Sequence, residues 1–216
     1  MTIQPTISRI LIAEDHAMVR EGLKFILSMT PNLEVIAETG DGYEAEKLAL
    51  ELCPDLLILD IDLPSKNGFD VATQIKQSNT GIKILILTGS LNTHSVRNAL
   101  ALGVEGYVLK REDSSELMSA IKAVLAGKPY ISKSIAEQFH HWESETVAAV
   151  SMLGAREREV VVLVADGKSS DEIALCMNIS VGTVRKHREN IMRKLNLNNA
   201  AEIAAFAVKH GLYNPV

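Results

Sequence analysis

The stretch LLILDIDLPSKNG, residues 56 to 68, decides how the chain is to be read. Four apolar residues run unbroken into Asp60, as in a short strand of a parallel sheet whose two faces are both covered. A turn signal containing Pro64, Asn67 and Gly68 follows at once. The same unit recurs on either side. RILIAED (9 to 15), LEVIAET (33 to 39), KILILT (83 to 88) and GYVLK (106 to 110) are four further candidate strands. Each of the five is followed by a segment of helical period, at about 17 to 29, 43 to 53, 68 to 78, 93 to 102 and 114 to 126. Repeated strand-helix units predict a doubly wound α/β domain with five parallel strands and helices on both faces.

In such a sheet, ligands bind beyond the carboxyl ends of the strands. Glu14 and Asp15 end the first strand, Asp60 the third, Thr88 the fourth and Lys110 the fifth. Taken singly, each has an ordinary explanation. An Asp at a strand end commonly caps a helix, a lysine is commonly a solvated surface group, and Thr88-Gly89 reads as a turn. Together they place three carboxylates in one crevice, where they repel one another unless a divalent cation such as Mg²⁺ neutralises them. Lys110 adds a fixed positive charge and Thr88 a hydroxyl donor, both suited to the equatorial oxygens of a phosphoryl group. The combination points to phosphoryl transfer onto a carboxylate.

The chain has 216 residues, 47% of them apolar and 23% charged, enough for two modest domains with separate cores. No apolar run approaches the roughly 18 residues a membrane span requires. The pattern of a secretory signal is not visible in MTIQPTISRILIAED, so a cytoplasmic location without membrane association is expected. Cys53 and Cys176 lie in apolar helix-like segments without a second thiol or a histidine cluster nearby, and are expected to fill cores.

Charge divides the chain. Residues 1 to 130 carry 12 Lys/Arg against 17 Asp/Glu, whereas residues 153 to 216 carry 9 against 7, within a formal net charge of -5. Between Arg185 and Lys194 stand five of the 22 basic residues. From residue 128 to 152 the regular pattern fades, which reads as a linker with a short helix near 134 to 141. Beyond it four helices are predicted, at about 155 to 166, 170 to 177, 181 to 195 and 199 to 210, with no strand. SSDE (169 to 172) fits a capping box. On the third of these helices Val181, Val184, Ile191 and Leu195 fall on one side. Gly182, Arg185, Lys186, Glu189 and Arg193 fall on the other, leaving Arg188 near the apolar side in need of a partner. A basic stripe alone is more often a solvated surface. A helix, a tight turn at Asn178-Ile179-Ser180 and a second helix make helix-turn-helix geometry, in which the second helix enters the DNA major groove. His187 reads as a partly buried helix residue, since no second metal ligand lies one turn away.

From about Arg9 to Gly127 the acidic pair, LLILDIDLPSKNG, LTGS and GYVLK resemble the response-regulator receiver family in order and spacing. The resemblance implies a flavodoxin-like sheet of order 2-1-3-4-5. It also implies Asp60 as phospho-acceptor, Lys110 as phosphate contact, and Mg²⁺ held by Asp15, Asp60 and the backbone carbonyl of Asp62, with Glu14 acting through water. Thr88 and Tyr107 would be the switch pair, the hydroxyl moving toward the phosphoryl group as the ring turns inward. Glu14 where aspartate is frequent, and Gly89 where alanine is common, are small departures. Asp60-Ile61-Asp62 is also similar to the DxD motif of haloacid-dehalogenase-type phosphatases, but there the motif strand normally opens the domain, and here two strand-helix units precede it.

Residues 153 to 211 resemble the LuxR-type DNA-binding domain through REREVVVLVADGKSSDEIA, NISVGTVRKHRENIMRKL and AAEIAAFAVKHGL. That resemblance implies Arg185, Lys186 and Glu189 as base readers, and Lys168, Ser170, Thr183, His187, Arg193 and Lys194 as phosphate contacts. Gly154-Ala155 stands where the family usually has a threonine-led cap, so a weaker helix start is expected. The whole is similar to a NarL/FixJ-type response regulator, with a receiver at 1 to 127, a linker at 128 to 152 and an all-α four-helix domain at 153 to 216. Such a protein is not an enzyme beyond its own phosphoryl transfer and slow dephosphorylation. Its expected partners are a sensor histidine kinase, double-stranded promoter DNA and, when phosphorylated, a second copy of itself. A constitutive DNA-binding protein whose receiver serves only for dimerisation is the alternative, and a complete acceptor constellation argues against it.

Overall fold

A computed structural model describes residues 7 to 89 and 93 to 213, with Thr93 and His94 described in backbone only. The chain forms two compact units that divide between Phe139 and His140.

In the first unit the order is β1 (Ser8–Ala13), α1 (Ala17–Ser28), β2 (Leu33–Thr39), α2 (Gly42–Leu52), β3 (Leu56–Asp60), α3 (Gly68–Gln77), β4 (Lys83–Thr88), α4 (Thr93–Leu102), β5 (Gly106–Leu109), α5 (Ser114–Leu125) and β6 (Tyr130–Ile131). All strand pairs are parallel, in the order β2-β1-β3-β4-β5-β6. The five expected strands and their order are present, and a two-residue sixth strand extends the sheet beyond β5. It belongs to the stretch read as a linker. Its alternation was too short to register as a periodic signal, and it exists because the outer edge of β5 offers unpaired backbone groups.

Alternate residues of the central strands feed two cores. Leu11, Leu57, Leu59, Ile84, Ile86 and Tyr107 pack with α2, α3 and α4 on one face. Ile10, Ile12, Ile58, Leu85, Leu87 and Val108 pack with α1 and α5 on the other. Side-chain caps fix where helices begin. Asp41 accepts from the amides of Tyr43 and Glu44, Asn67 from Phe69, and Asp113 from Glu116.

The stretch expected to be a linker also carries α6 (Lys133–Ser151), far longer than the short helix anticipated. Ile135 is fully buried in the first unit's core and Phe139 packs against it, so the helix start is anchored by an i,i+4 apolar pair. Within the second unit Thr146 Oγ1 lies 2.9 Å from His210 Nδ1, and this contact holds a later turn of α6.

The second unit continues with α7 (Ala155–Ala165), α8 (Ser170–Met177), α9 (Val181–Leu195) and α10 (Ala200–Lys209). Val160, Val161, Ile173, Val184, Ile191 and Ile203 form its core. The capping box at Ser169 is present. Its amide donates to Glu172 Oε2 at 2.8 Å and its hydroxyl accepts from the Glu172 amide at 3.3 Å. Asn178 and Asn196 end α8 and α9 in the left-handed region, at φ 55° and 54°. Both cysteines are exposed, contrary to the expectation that they fill cores. Cys53 is the left-handed residue closing α2, and Cys176 lies on the outward side of α8, where apolar content hid the direction of the side chain.

Gly154 gives α7 no side-chain cap, but Glu157 reaches back and accepts from the Gly154 amide at 2.7 Å. The same carboxylate, buried, accepts from Lys194 Nζ at 2.6 Å. The helix start expected to be weak is therefore closed from two sides. Burial works against ionisation of Glu157, and the hydrogen bonds from Lys194 and Gly154 outweigh it, holding the group below its ordinary value of 4.5. A carboxylate whose folded pKa is depressed stabilises the fold above its unfolded pKa and loses that contribution as pH falls through the folded value. Glu157→Gln is expected to cost about 1 kcal/mol at pH 7 and progressively less below about pH 4.5, read as the urea midpoint of the second unit. A pH-independent difference between variant and wild type would refute this.

Candidate functional sites

Glu14 and Asp60 sit just past β1 and at the end of β3, each only 1% exposed, a burial that two carboxylates tolerate only with compensation. Lys110 supplies it. Its Nζ lies 2.7 Å from Glu14 Oε1 and 2.7 Å from Asp60 Oδ2. Burial alone would lower the Lys110 pKa, and the hydrogen bonds to Asp60 and Glu14 reverse this and raise it. Asp60 Oδ1 accepts the Asp62 amide at 3.3 Å. Asp15, at the rim, lies 2.5 Å from His16 Nδ1. Burial opposes its ionisation, yet His16 and Lys110 hold its carboxyl below the usual aspartate value.

The backbone under these groups is tightly specified. Arg20 Nη1 donates to the Glu14 carbonyl at 2.6 Å, and the Glu14 amide donates to Thr39 O at 2.9 Å, which fixes the turn bearing the acidic pair. The Gly68 amide donates to Ile61 O at 2.9 Å, and a Cβ on Gly68 would stand 2.1 Å from the carbonyl oxygen of Asp60. Thr88 and Tyr107 are both buried at 2%, so the ring already lies inside, and burial pushes its phenol pKa up. Ligand-capable atoms of Glu14, Asp15, His16 and Asp60 all lie within 4.8 Å of one another. Glu14 Oε2 is buried without a hydrogen-bond partner, an acceptor that a cation would satisfy. Mostly hard oxygen donors fit a divalent cation.

Of the acceptor-site residues expected from sequence, Glu14, Asp15, Asp60 and Lys110 are brought together here, and Asp62, exposed, engages Asp60 through its amide. Thr88 and Tyr107 are buried on the neighbouring strands β4 and β5. His16, Arg20 and Gly68 were not singled out. His16 and Arg20 carry no strand-end signal, although both follow the acidic pair within one helical turn.

On α9, Gly182, Arg185, Lys186, Glu189 and Arg193 are all exposed, and Val184 and Ile191 are buried, as the helical pattern predicts. Several expected phosphate contacts are already engaged. Lys194 binds Glu157, Lys168 pairs with Asp166 at 3.0 Å, and Arg193 Nη2 donates to Asn190 at 2.9 Å. Thr183 helps cap α9, its amide donating to Ser180 Oγ, and His187 is half-buried. Ser170 Oγ accepts from Arg188 Nη1 at 2.9 Å, which gives Arg188 a hydroxyl rather than an acidic partner.

Residues 10 to 122 match the response regulator receiver domain, and residues 151 to 207 match the bacterial regulatory proteins of the luxR family. The response regulator protein VraR of Staphylococcus aureus is 32% identical over 94% of this chain and 98% of its own length. The chain belongs to the LuxR-family response regulators. As in that family, a two-component receiver is joined to a helical DNA-binding domain. Among solved structures, RcsB of Salmonella typhimurium is similar with a TM-score of 0.71 at 25% identity, over 93% of this chain and 99% of that one. An RcsB–DNA complex is similar with a TM-score of 0.64 at 26% identity, over 94% and 98%. A LuxR-family response regulator from Aurantimonas is 34% identical over 63% of this chain and 97% of its own, with a TM-score of 0.60. No described helix of this LuxR-family regulator is long and apolar enough to cross a membrane.

Proposed function

We propose that this regulator accepts a phosphoryl group on Asp60 from the phosphohistidine of a sensor histidine kinase, and that the phosphorylated protein dimerises and binds promoter DNA in the cytoplasm. The observation that carries the reading is the single ammonium of Lys110 shared between two buried carboxylates. In the transfer an Asp60 carboxylate oxygen forms the new O–P bond, the N–P bond of the donor breaks, and its electron pair returns to the imidazole. Lys110 then faces a phosphoryl oxygen, and the Thr88 hydroxyl donates to another. Mg²⁺, held by Asp15, Asp60 and the Asp62 carbonyl with Glu14 behind them, would neutralise charge on the phosphoryl oxygens. The chain's own catalysis is confined to this transfer and to slow hydrolysis of the aspartyl phosphate.

On α9, Arg185 and Lys186 are exposed and can reach guanine edges, and Glu189 can accept from a cytosine N4. Thr183, His187, Arg193 and Lys194 of the same helix, with Lys168 just before α8 and Ser170 at its start, approach phosphates, Lys168, Arg193 and Lys194 by exchanging their present partners. The similarity to an RcsB–DNA complex supports DNA binding, and the helix-turn-helix arrangement of α8 and α9 favours α9 as the helix that enters the major groove. Arg185→Ala is expected to cost about 1 to 3 kcal/mol on the operator and to relax base preference, measured by binding to operator and random duplexes. Equal losses on both would contradict a reading role. Lys194→Ala, in contrast, is expected to weaken binding to all sequences and also to destabilise the second unit, because it frees Glu157.

The test of the function is incubation with a small phosphodonor and Mg²⁺, followed by mass spectrometry, light scattering and DNA binding on one sample. One phosphoryl group on Asp60, a doubled mass and tighter operator binding are expected, and Asp60→Asn should show none of these changes. Multiple-turnover hydrolysis of phosphate esters, or operator binding equally tight in wild type and Asp60→Asn under phosphodonor, would overturn it.

A further inference from the structure

The chain leaving α5 returns at once to the sheet. Tyr130 and Ile131 pair in parallel with Gly106 and Tyr107, the Tyr130 amide donating to Glu105 O at 2.8 Å and the Ser132 amide to Tyr107 O at 3.1 Å. Because Ile131 is the register partner of Tyr107, both side chains point to the same face of the sheet. Ile131 packs against the core cluster that contains Tyr107, and fully buried Ile135 is a member of it. Ser134 adds a hydrogen bond from its hydroxyl to the Glu112 carboxylate, which follows β5 closely in sequence. Beneath this strap lies a cavity of about 40 Å³ lined by Val96, Ala99, Val104, Tyr107 and Ile131. Tyr107 forms one wall of this void, and Pro129, Tyr130 and Ile131 of the strap form another.

At the other end of the same strand, Lys110 holds Asp60, and its amide donates to the carbonyl of Thr88 at 2.8 Å. One four-residue strand thus carries the strap, Tyr107 and the entry to Lys110. We propose that Ile131 and Ile135 are positioning residues for the acceptor site. Acting through Tyr107, they make docking of the 129–135 strap and phosphorylation of Asp60 favour each other. This rests on the Asp60 reading. A phosphoryl group that draws in the Thr88 hydroxyl favours the inward ring, and an inward ring completes the surface on which Ile131 and Ile135 dock. By linkage, a docked strap must strengthen phosphoryl-mimic binding by the same factor. Residues 129 to 135 lead directly into the second unit, so the strap is the part of the receiver nearest in sequence to whatever the signal must reach.

Hydrogen exchange on the full chain, with and without beryllofluoride and Mg²⁺, tests this. Saturating beryllofluoride is expected to slow exchange at the Tyr130 and Ser132 amides about ten-fold. Ile135→Ala is expected to speed exchange there and to raise the beryllofluoride dissociation constant about ten-fold, with protection in β1 and β3 unchanged, and Ile135→Val to restore most of the affinity. Ile131→Thr, which keeps a β-branched residue in the strand, should act in the same direction as Ile135→Ala, and serves if the latter loses its fold. Unchanged exchange at saturation, or a freed strap with beryllofluoride affinity within two-fold of wild type, overturns the coupling alone. No uptake of beryllofluoride by the wild type sinks the acceptor reading and this inference with it.

Discussion

Lys110→Ala is expected to destabilise the first unit by about 3 kcal/mol in metal-free buffer, a loss on the scale seen when one partner of a buried ion pair is removed. The reason is the burial of what remains. Glu14 and Asp60 are each 1% exposed, and both lose their ammonium at once. They stand directly after β1 and at the end of β3, two interior strands of the sheet. Added Mg²⁺ should recover part of the loss, since a divalent cation supplies the missing charge to the same carboxylates. Urea unfolding with and without Mg²⁺ gives both numbers. A loss below about 1 kcal/mol, or one indifferent to Mg²⁺, would mean that the lysine does not neutralise the pair. Labelling by phosphodonor should fall as well, because the same group faces the incoming phosphoryl oxygens.

Gly68→Ala should have an effect of similar size without touching a charge. The added Cβ would lie 2.1 Å from the Asp60 carbonyl oxygen and 2.9 Å from the Ile61 Cα, both backbone atoms that cannot rotate away. Either α3 withdraws or the end of β3 shifts, and overpacking of this kind costs about 2 to 3 kcal/mol. Asp60 moves with its own carbonyl, so the labelling rate should drop together with the urea midpoint. A variant that unfolds and labels like the wild type would show that α3 can retreat without carrying β3 along.

The strands and the polar groups at their ends were legible because each rests on a short periodic signal with a polar residue at a fixed end, whereas the strand order came from the family resemblance. Asp60, Lys110 and Glu14 meet in space because each ends or directly follows a strand, β3, β5 or β1, at the carboxyl edge of one parallel sheet. What escaped notice was of a different kind. Gly68 looked like a turn residue, and only its distance from Asp60 O shows that it is a packing constraint. Arg20 acts through a backbone carbonyl, which leaves no trace in the pattern of side chains. The segment 128 to 152 looked like a linker because its two strand residues and the Ile135 and Phe139 anchors are too sparse to rise above a polar background, although the edge of β5 gives them a place to dock. The resemblance to the LuxR-type domain makes Lys194 a phosphate contact. Its pairing with Glu157, 37 positions earlier, depends on how α7 meets α9 and cannot be counted from spacing.

The placement of the two thiols gives the chain a native pair of attachment points. Cys53 closes α2 in the first unit and Cys176 lies on α8 in the second; both are exposed, and the sequence contains no others. A donor and an acceptor dye, or two spin labels, can therefore be fixed one per unit without introducing or removing a single residue. The distance between the units, and its change when Asp60 is loaded, becomes a quantity readable on the unaltered protein.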